Sequence, residues 1–219
     1  MILYSKIIRK FSSLSSSALK RAIDQDFLLI KDFINEEEES KLLNELDSSL
    51  KRLKYEDSHW DYAIKGFREI ERASFSAEND HIRKRISQTL LEMSPLGSKL
   101  NPLVHILDLD SCGHINPHID SVKFCGPSLA ILSLNSDCIL KLSVPEKKDI
   151  IYCDFMKLYE REEFLGSFGD NEEMKIDKRS LYILRGRCRY ELAHSILGAE
   201  KSKNINKTRR ISIIIRTIV

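Results

Sequence analysis

Paired cysteines are missing from this 219-residue chain: Cys112, Cys125, Cys138, Cys153 and Cys188 are odd in number, widely spaced and include no C-x-x-C. That spacing excludes a zinc knuckle or redox dithiol, so the thiols are expected to be reduced and mostly buried. Long hydrophobic runs are missing too. No apolar stretch approaches the roughly 20 residues of a membrane-spanning helix, and no membrane span is expected. Internal repeats are absent. Acidic residues are absent from "MILYSKIIRKFSSLSSSALKRAI", which carries Lys6, Arg9, Lys10, Lys20 and Arg21 before the first carboxylate at Asp24. Histidine is scarce, with six in the chain.

What is present is ordinary globular composition, 42% hydrophobic and 31% charged, at a length that suits one large domain. The basic, Ser-rich start has the pattern of a mitochondrial transit peptide, read here as residues 1–23. Removing its five basic residues takes the formal net charge from +2 to −3. A slightly acidic remainder is not suited to strong phosphate-backbone binding, so no strong duplex DNA binding is expected. The clustered positive charge of "EKSKNINKTRR" reads as a solvated loop. The remaining chain, 24–219, is expected to be one monomeric domain with a helical part over 24–100 and a barrel over 101–219.

In the first part, Asn35 followed by Glu38 forms a capping-box start, with acid in the first turn. Leu42, Leu43, Leu46, Leu50 and Leu53 then recur at helical spacing, and Lys51, Arg52 and Lys54 gather near the end. A second helix is predicted in "NDHIRKRISQTLLEM", with Ile82, Ile86, Leu90 and Met93 on one side and Pro95 as its stop. His81 is expected at the surface. Beyond Pro95 the period becomes two. "LVHILDLD", "HINPHID", "SLAILSLN", "CILKLSVP", "SLYILRG", "RYELAHSI" and "RRISIIIRTIV" read as short strands separated by turns such as Ser111 to Gly113. Residues 160–178 are charged and weakly periodic and are expected to form a long loop. The predicted class is therefore mainly β, a barrel or sandwich with flanking α-helices.

In "GHINPHIDSVKFCG", His118 and Asp120 share one face of a strand while Ile119 turns into the packing. One imidazole and one carboxylate at that spacing fit two adjacent positions on a metal; the triplet alone also fits a polar strand end. A facial triad on non-haem Fe(II) needs a second histidine from a distant strand and leaves three positions open. His194 is the candidate. His59 and His81 fall in the helical region, and His105 and His114 sit on strands with no second carboxylate nearby. In "RISIIIR", Ile211, Ile213 and Ile215 share one face, and Arg210, Ser212, Ile214 and Arg216 the other. With the isoleucines in an outer core, the two arginines enter the barrel, where buried guanidinium needs a fixed anion. A dicarboxylate supplies one by two charge-assisted hydrogen bonds, with Tyr182 adding a hydroxyl. The competing reading is an edge strand with both arginines in solvent.

H-x-D at 118–120, His194 and R-x-x-x-x-x-R at 210–216, with "HWDYAIKGFRE", "PHIDSVKFCG", "LYILRG" and "RRISIIIR", resemble the Fe(II)/2-oxoglutarate dioxygenases of the AlkB type from about Asp24 onward. The resemblance implies a double-stranded β-helix, a jelly-roll or cupin-like dioxygenase core. It implies His118, Asp120 and His194 as catalytic iron ligands, and 2-oxoglutarate and O2 as cosubstrates. Arg210 would hold the distal carboxylate with Tyr182, His105 and Ser212, and Arg216 would matter less for it. Two positions depart from the pattern: Leu107 and Leu109 stand where nucleic-acid-acting relatives carry Asn and Tyr. The lid such relatives fold over a flipped base is short here, and Trp60, Tyr62 and Phe67 read as packing between helix and barrel. The implied substrates are a protein side chain or a methylated base of structured mitochondrial RNA, in the matrix. Roles in regulated necrosis and fatty-acid metabolism are also implied. The other class is a regulatory binding module that keeps the barrel and metal and acts through a partner.

Overall fold

Every strand pairing among the described residues is antiparallel. In a computed structural model, which describes residues 17–59, 62–145, 166–167, 169–202, 205 and 208–218, nine strands form one curled sheet. They are β1 (Phe27–Ile30), β2 (Ile64–Arg72), β3 (Val104–His118), β4 (Ser128–Leu134), β5 (Cys138–Ser143), β6 (Asn171–Ile176), β7 (Leu181–Arg185), β8 (Ala193–Ile196) and β9 (Arg210–Arg216). The helices are α1 (Ala18–Asp26), α2 (Glu36–Leu50), α3 (Asp80–Glu92) and the short α4 (Gly186–Tyr190). The strand order is β1-β7-β4-β9-β3-β8-β5-β6, with β2 added beside β3.

β3 joins the two halves of this sheet. Its first part pairs with β9 from His105 to Leu109, and its last part pairs with β8 at Ile115 and His118. The two strands expected on either side of Ser111 are thus one bent strand. Asp110 Oδ1 accepts from the backbone N–H groups of Cys112 (2.7 Å) and Gly113 (2.5 Å), so the predicted turn is a local irregularity inside the strand. The bend brings β2 and β3 close: a Cβ on Gly113 would lie 2.4 Å from the Gly66 carbonyl oxygen, and Gly66 itself has φ +60°.

Two cores follow from the alternation. Leu107, Leu109, Leu129, Leu140, Leu142, Tyr182 and Leu184 fill the space between the sheet halves. Ile106, Ala130, Leu132, Ile183, Ile211, Ile213 and Ile215 lie on the other face, under Leu42, Leu46 and Leu50 of α2 and Ile82, Ile86 and Leu90 of α3. β4 serves both cores and is buried at every position, which is why it reads as a continuous apolar run. The isoleucine face of β9 is in the outer core, and its polar face is inside.

α2 starts as the sequence predicts: Asn35 Oδ1 accepts from Glu38 N at 2.8 Å and Glu38 Oε2 accepts from Asn35 N at 3.0 Å. It stops at Leu50, so Leu53 is left largely exposed and Lys51, Arg52 and Lys54 lie past the last turn. His81 is exposed on α3. Several expectations need correction. The 24–100 part is not wholly helical, because β1 and β2 are strands within it that complete pairings with β7 and β3. The loop expected over 160–178 contains β6, whose Asn171 to Ile176 pair with β5 and screen its edge; residues 160–165 and 168 lie outside the described residues. Tyr62 is 72% exposed and does not pack between helix and barrel, while Phe67 turns into the barrel core; Trp60 lies outside the described residues. The boundary at residue 23 falls inside α1, whose Leu19, Ala22 and Ile23 are buried in the barrel core. Residues 1–16 of the expected leader lie outside the described residues. Cys138 and Cys188 are buried, Cys125 is half-buried and Cys112 exposed, all unpaired, and Cys153 lies outside the described residues. Among the described residues no helix is long and apolar enough to cross a membrane.

Candidate metal centre

His118 and His194 are directly opposed across β3 and β8. Between the pairs Ile115↔Ile196 and His118↔His194, β3 spends three residues where β8 spends two. This one-residue bulge holds Pro117, which lacks an N–H for the ladder. It also turns His118 onto the same face as Ile115, where a strict period of two would have pointed it away. Asp120 follows two residues later, with Ile119 buried between them.

The three side chains converge. Their ligand atoms all lie within 4.8 Å of one another, and the two imidazole centroids are 4.2 Å apart. Asp120 Oδ1 is 3.2 Å from His118 Nε2 and 3.6 Å from His194 Nε2. His118 Nδ1 is 3.0 Å from the Asn116 carbonyl oxygen, a contact that places the proton on Nδ1 and leaves the Nε2 lone pair facing the cluster. Burial, the dominant influence, pulls His194 down to about 3, so it is neutral at physiological pH. Burial pushes the Asp120 carboxyl up, but the His118 hydrogen bond and the Arg216 charge outweigh it and hold it well below the usual range. Two imidazoles and one ionised carboxylate on a common point are a donor set that suits non-haem Fe(II).

A second polar group lies in the same interior. Arg210 is 1% exposed; its Nε donates to Ser133 Oγ at 3.0 Å and its Nη1 to Ser212 Oγ at 3.4 Å. It also contacts the Tyr182 hydroxyl and the Cys138 thiol. Burial, the dominant influence, pushes Tyr182 up to about 12, so its phenol is neutral. The two serines and Tyr182 therefore bring no charge to it, and Arg210 Nη2 has no hydrogen-bond partner among the described residues. Arg216, at the other end of the same face, instead points its Nε at Asp120 Oδ2, 3.3 Å away.

This arrangement has known counterparts. The mouse protein named alpha-ketoglutarate-dependent dioxygenase alkB homolog 7, mitochondrial, is 38% identical over 208 residues, which is 93% of this chain and 84% of the relative. The cattle protein of the same name is 37% identical over 190 residues, 85% and 76% of the two chains. This chain belongs to that AlkB-type dioxygenase family. No protein-family profile matches it. Two solved structures share its fold at 11% identity: a Trichoplax adhaerens prolyl hydroxylase in complex with a hypoxia inducible factor peptide (TM-score 0.59, 92% of this chain and 87% of that one) and OsALKBH1 (0.55, 93% and 98%). The double-stranded β-helix assignment agrees with them. As a member of this family the protein is an enzyme that uses Fe(II), 2-oxoglutarate and O2.

Within this dioxygenase, the expected 2-oxoglutarate residues divide into two groups. Arg210, Tyr182 and Ser212 are together in the interior. His105 is not with them: its Nδ1 lies 3.2 Å from Arg216 Nη2 and its Nε2 2.8 Å from Glu69 Oε2. Leu107 and Leu109 point inward, opposite Ser212 and Arg210 of β9, and offer no polar atom there. Sequence reasoning missed Ser133, which faces inward from β4; its signal was the alternation of "SLAILSLN". It also missed Glu69, because β2 was read as helical, and with it the place of His59, whose Nε2 is 3.5 Å from Glu69 Oε1. Arg209 was expected in a solvated loop but is committed to Asp108 and Asp47, each at 2.7 Å.

Proposed function

We propose that this chain is a mitochondrial matrix oxygenase whose iron is held by His118, Asp120 and His194 and whose 2-oxoglutarate is held at its distal carboxylate by Arg210. The observation that carries the reading is the Arg210 Nη2 atom, buried and unpartnered beside three neutral hydroxyls. A guanidinium withdrawn from water without an anion is costly. A carboxylate from the cosubstrate removes that cost and matches the planar fork.

Each residue then has a task. Ser133 and Ser212 fix the plane of Arg210, and the neutral Tyr182 hydroxyl donates to the same carboxylate. Leu107 and Leu109 form an apolar wall against the methylene groups of the cosubstrate. Arg216 holds Asp120 in its ionised form. The bound iron supplies oxidative decarboxylation of 2-oxoglutarate by O2, coupled to hydroxylation of a substrate C–H bond.

The substrate reading is a protein side chain or an exposed methylated base of structured RNA, at an open barrel mouth. Phe67 faces the core and cannot stack a flipped base, and Tyr62 stands in solvent. A leader that ends before Ser17 removes only Lys6, Arg9 and Lys10, which leaves a formal charge of −1 and little attraction for a phosphate backbone. An oxygenase of this kind in the matrix is also the form in which the protein would act in regulated necrosis and fatty-acid metabolism. The test is a side-by-side assay of purified enzyme with methylated duplex DNA, methylated structured RNA and mitochondrial protein extract, scored by succinate and formaldehyde. Succinate formation stimulated by RNA or protein extract is expected; efficient, salt-sensitive demethylation of the duplex would overturn the substrate reading.

A further inference from the structure

A chain of polar contacts runs from the triad to β2. Asp120 divides its oxygens, Oδ1 toward the two histidines and Oδ2 toward Arg216 Nε. Arg216 Nη2 meets His105 Nδ1, and His105 Nε2 meets Glu69 Oε2. The sheet register builds this row. Glu69 faces Leu107 across β2 and β3, one diagonal step from His105, and Arg216 stands one diagonal step from His105 on β9, beyond its partner Ile214. All three side chains are on the interior face.

Donor and acceptor chemistry fixes the protons along the row. A guanidinium has only N–H donors, so His105 Nδ1 must accept and carries no hydrogen. His105 is then a neutral imidazole with its proton on Nε2, and Nε2–H donates to Glu69. That assignment needs an ionised Glu69, and the His105 hydrogen bond does hold the Glu69 carboxyl below its ordinary value against partial burial. The opposite tautomer would aim an N–H at the guanidinium and drive Arg216 away from Asp120.

We propose that Glu69 and His105 are positioning residues for the metal centre: Glu69 fixes His105 as the Nε2–H tautomer, His105 thereby anchors Arg216, and Arg216 keeps Asp120 Oδ2 off the metal. Asp120 then binds through Oδ1 alone. A carboxylate that used both oxygens would occupy one of the three positions that cosubstrate and oxygen need. The inference rests on the reading of His118, Asp120 and His194 as the metal ligands.

The test uses the full chain and two readouts besides turnover. Long-range 1H–15N spectra of the metal-free protein report which His105 nitrogen carries the proton, with assignment by the His105→Asn variant. The expected result is Nε2–H in the wild type, kept in Glu69→Gln and lost in Glu69→Ala. Calorimetric titration with Mn(II) reports the site itself. Outer partners of metal ligands contribute about 10- to 100-fold to affinity, so His105→Leu should bind Mn(II) about tenfold more weakly. His105→Asn keeps an acceptor for Arg216 and should stay within about threefold of wild type. A wild-type Nδ1–H tautomer, or unchanged Mn(II) affinity in a folded His105→Leu, overturns the proposal. Should His105→Leu fail to fold, the wild-type and Glu69→Ala tautomers decide it. Retained Mn(II) binding in His118→Ala would instead sink the ligand reading, independently of the row.

Discussion

Replacing Arg210 separates a cosubstrate anchor from a structural cation. Arg210→Lys keeps the charge but loses the fork and the Nε donation to Ser133. One lost charge-assisted hydrogen bond is about 1.5–3 kcal/mol, so the affinity for 2-oxoglutarate should fall about 10- to 100-fold. Arg216→Lys should have a smaller effect on that affinity, since Arg216 faces Asp120. Arg210→Met gives a result of opposite sign in the empty protein. It removes a buried cation that has no ion pair among the described residues and fills the volume with an apolar chain, so stability without ligand should hold or rise. Saturating cosubstrate stabilises a protein by about 2.7 kcal/mol at 100 Kd, which for a domain of this size is roughly 5–11 °C in Tm. Thermal melts with Mn(II), with and without 2-oxoglutarate, measure both effects. The wild type should show that shift, Arg210→Lys a smaller one and Arg210→Met none. If Arg210→Met melted far lower than wild type without ligand yet kept the 2-oxoglutarate shift, the guanidinium would be structural and the anchor reading refuted.

His118→Ala should abolish metal-dependent succinate formation while the far-UV circular dichroism spectrum is unchanged, because little core is removed at a half-buried position. A chain starting at Ser17 should fold as the full chain does. One starting at Asp24 loses Leu19, Ala22 and Ile23 from the core, about 3–6 kcal/mol at 1.5–3 kcal/mol for each large side chain; equal denaturant midpoints for the two truncations would contradict the packing of α1. Glu69 has a folded pKa below its unfolded value, so its contribution is full above the unfolded pKa and lost as pH falls through the folded one. The Tm difference between wild type and Glu69→Gln in the metal-free protein should therefore shrink on acidification from about pH 6 to about pH 3.

How legible the molecule was depended on which physical rule dominated locally. The α2 start was readable because Asn35 and Glu38 satisfy each other within one turn. The two faces of β9 were readable because three isoleucines at a period of two have only one favourable destination. The placement of β2 was not. Its sequence "IKGFREIER" mixes charges on both faces, since Arg68 is paired with Asp108 of β3 and Glu69 accepts from His105, partners that only the pairing with β3 brings near. β6 was obscured similarly: "NEEMKI" is half exposed along an outer edge, with Ile176 its only buried residue, so alternation is weak. The triad order could be read, but the bulge at Pro117 that aims His118 inward could not, because register is a property of two strands.

The N-terminal boundary bears on the metal centre more directly than its distance in sequence suggests. α1 supports α4 and the residue that precedes it by three contacts: Arg187 N donates to Asp26 Oδ2 at 2.8 Å, Arg185 Nη2 to the Gln25 carbonyl at 3.1 Å, and Cys188 Sγ to the Ala22 carbonyl at 3.6 Å. α4 in turn carries Arg189, which is 2% exposed and donates to the carbonyl oxygens of Asp120, Ser121, Cys125 and Gly126. Four carbonyls around one guanidinium fix the loop that presents Asp120. α4 also leads within a few residues into β8 and His194. Two of the three triad residues therefore take their backbone positions from a helix that rests on α1, and cleavage after residue 23 would remove the Ala22 contact and most of the helix that carries Gln25 and Asp26. A processing site before Ser17 preserves it: Ser17 Oγ accepts from Lys20 N at 3.2 Å and caps the helix. Lys20 and Arg21, which the sequence pattern groups with the basic start of the chain, thus belong to the folded part.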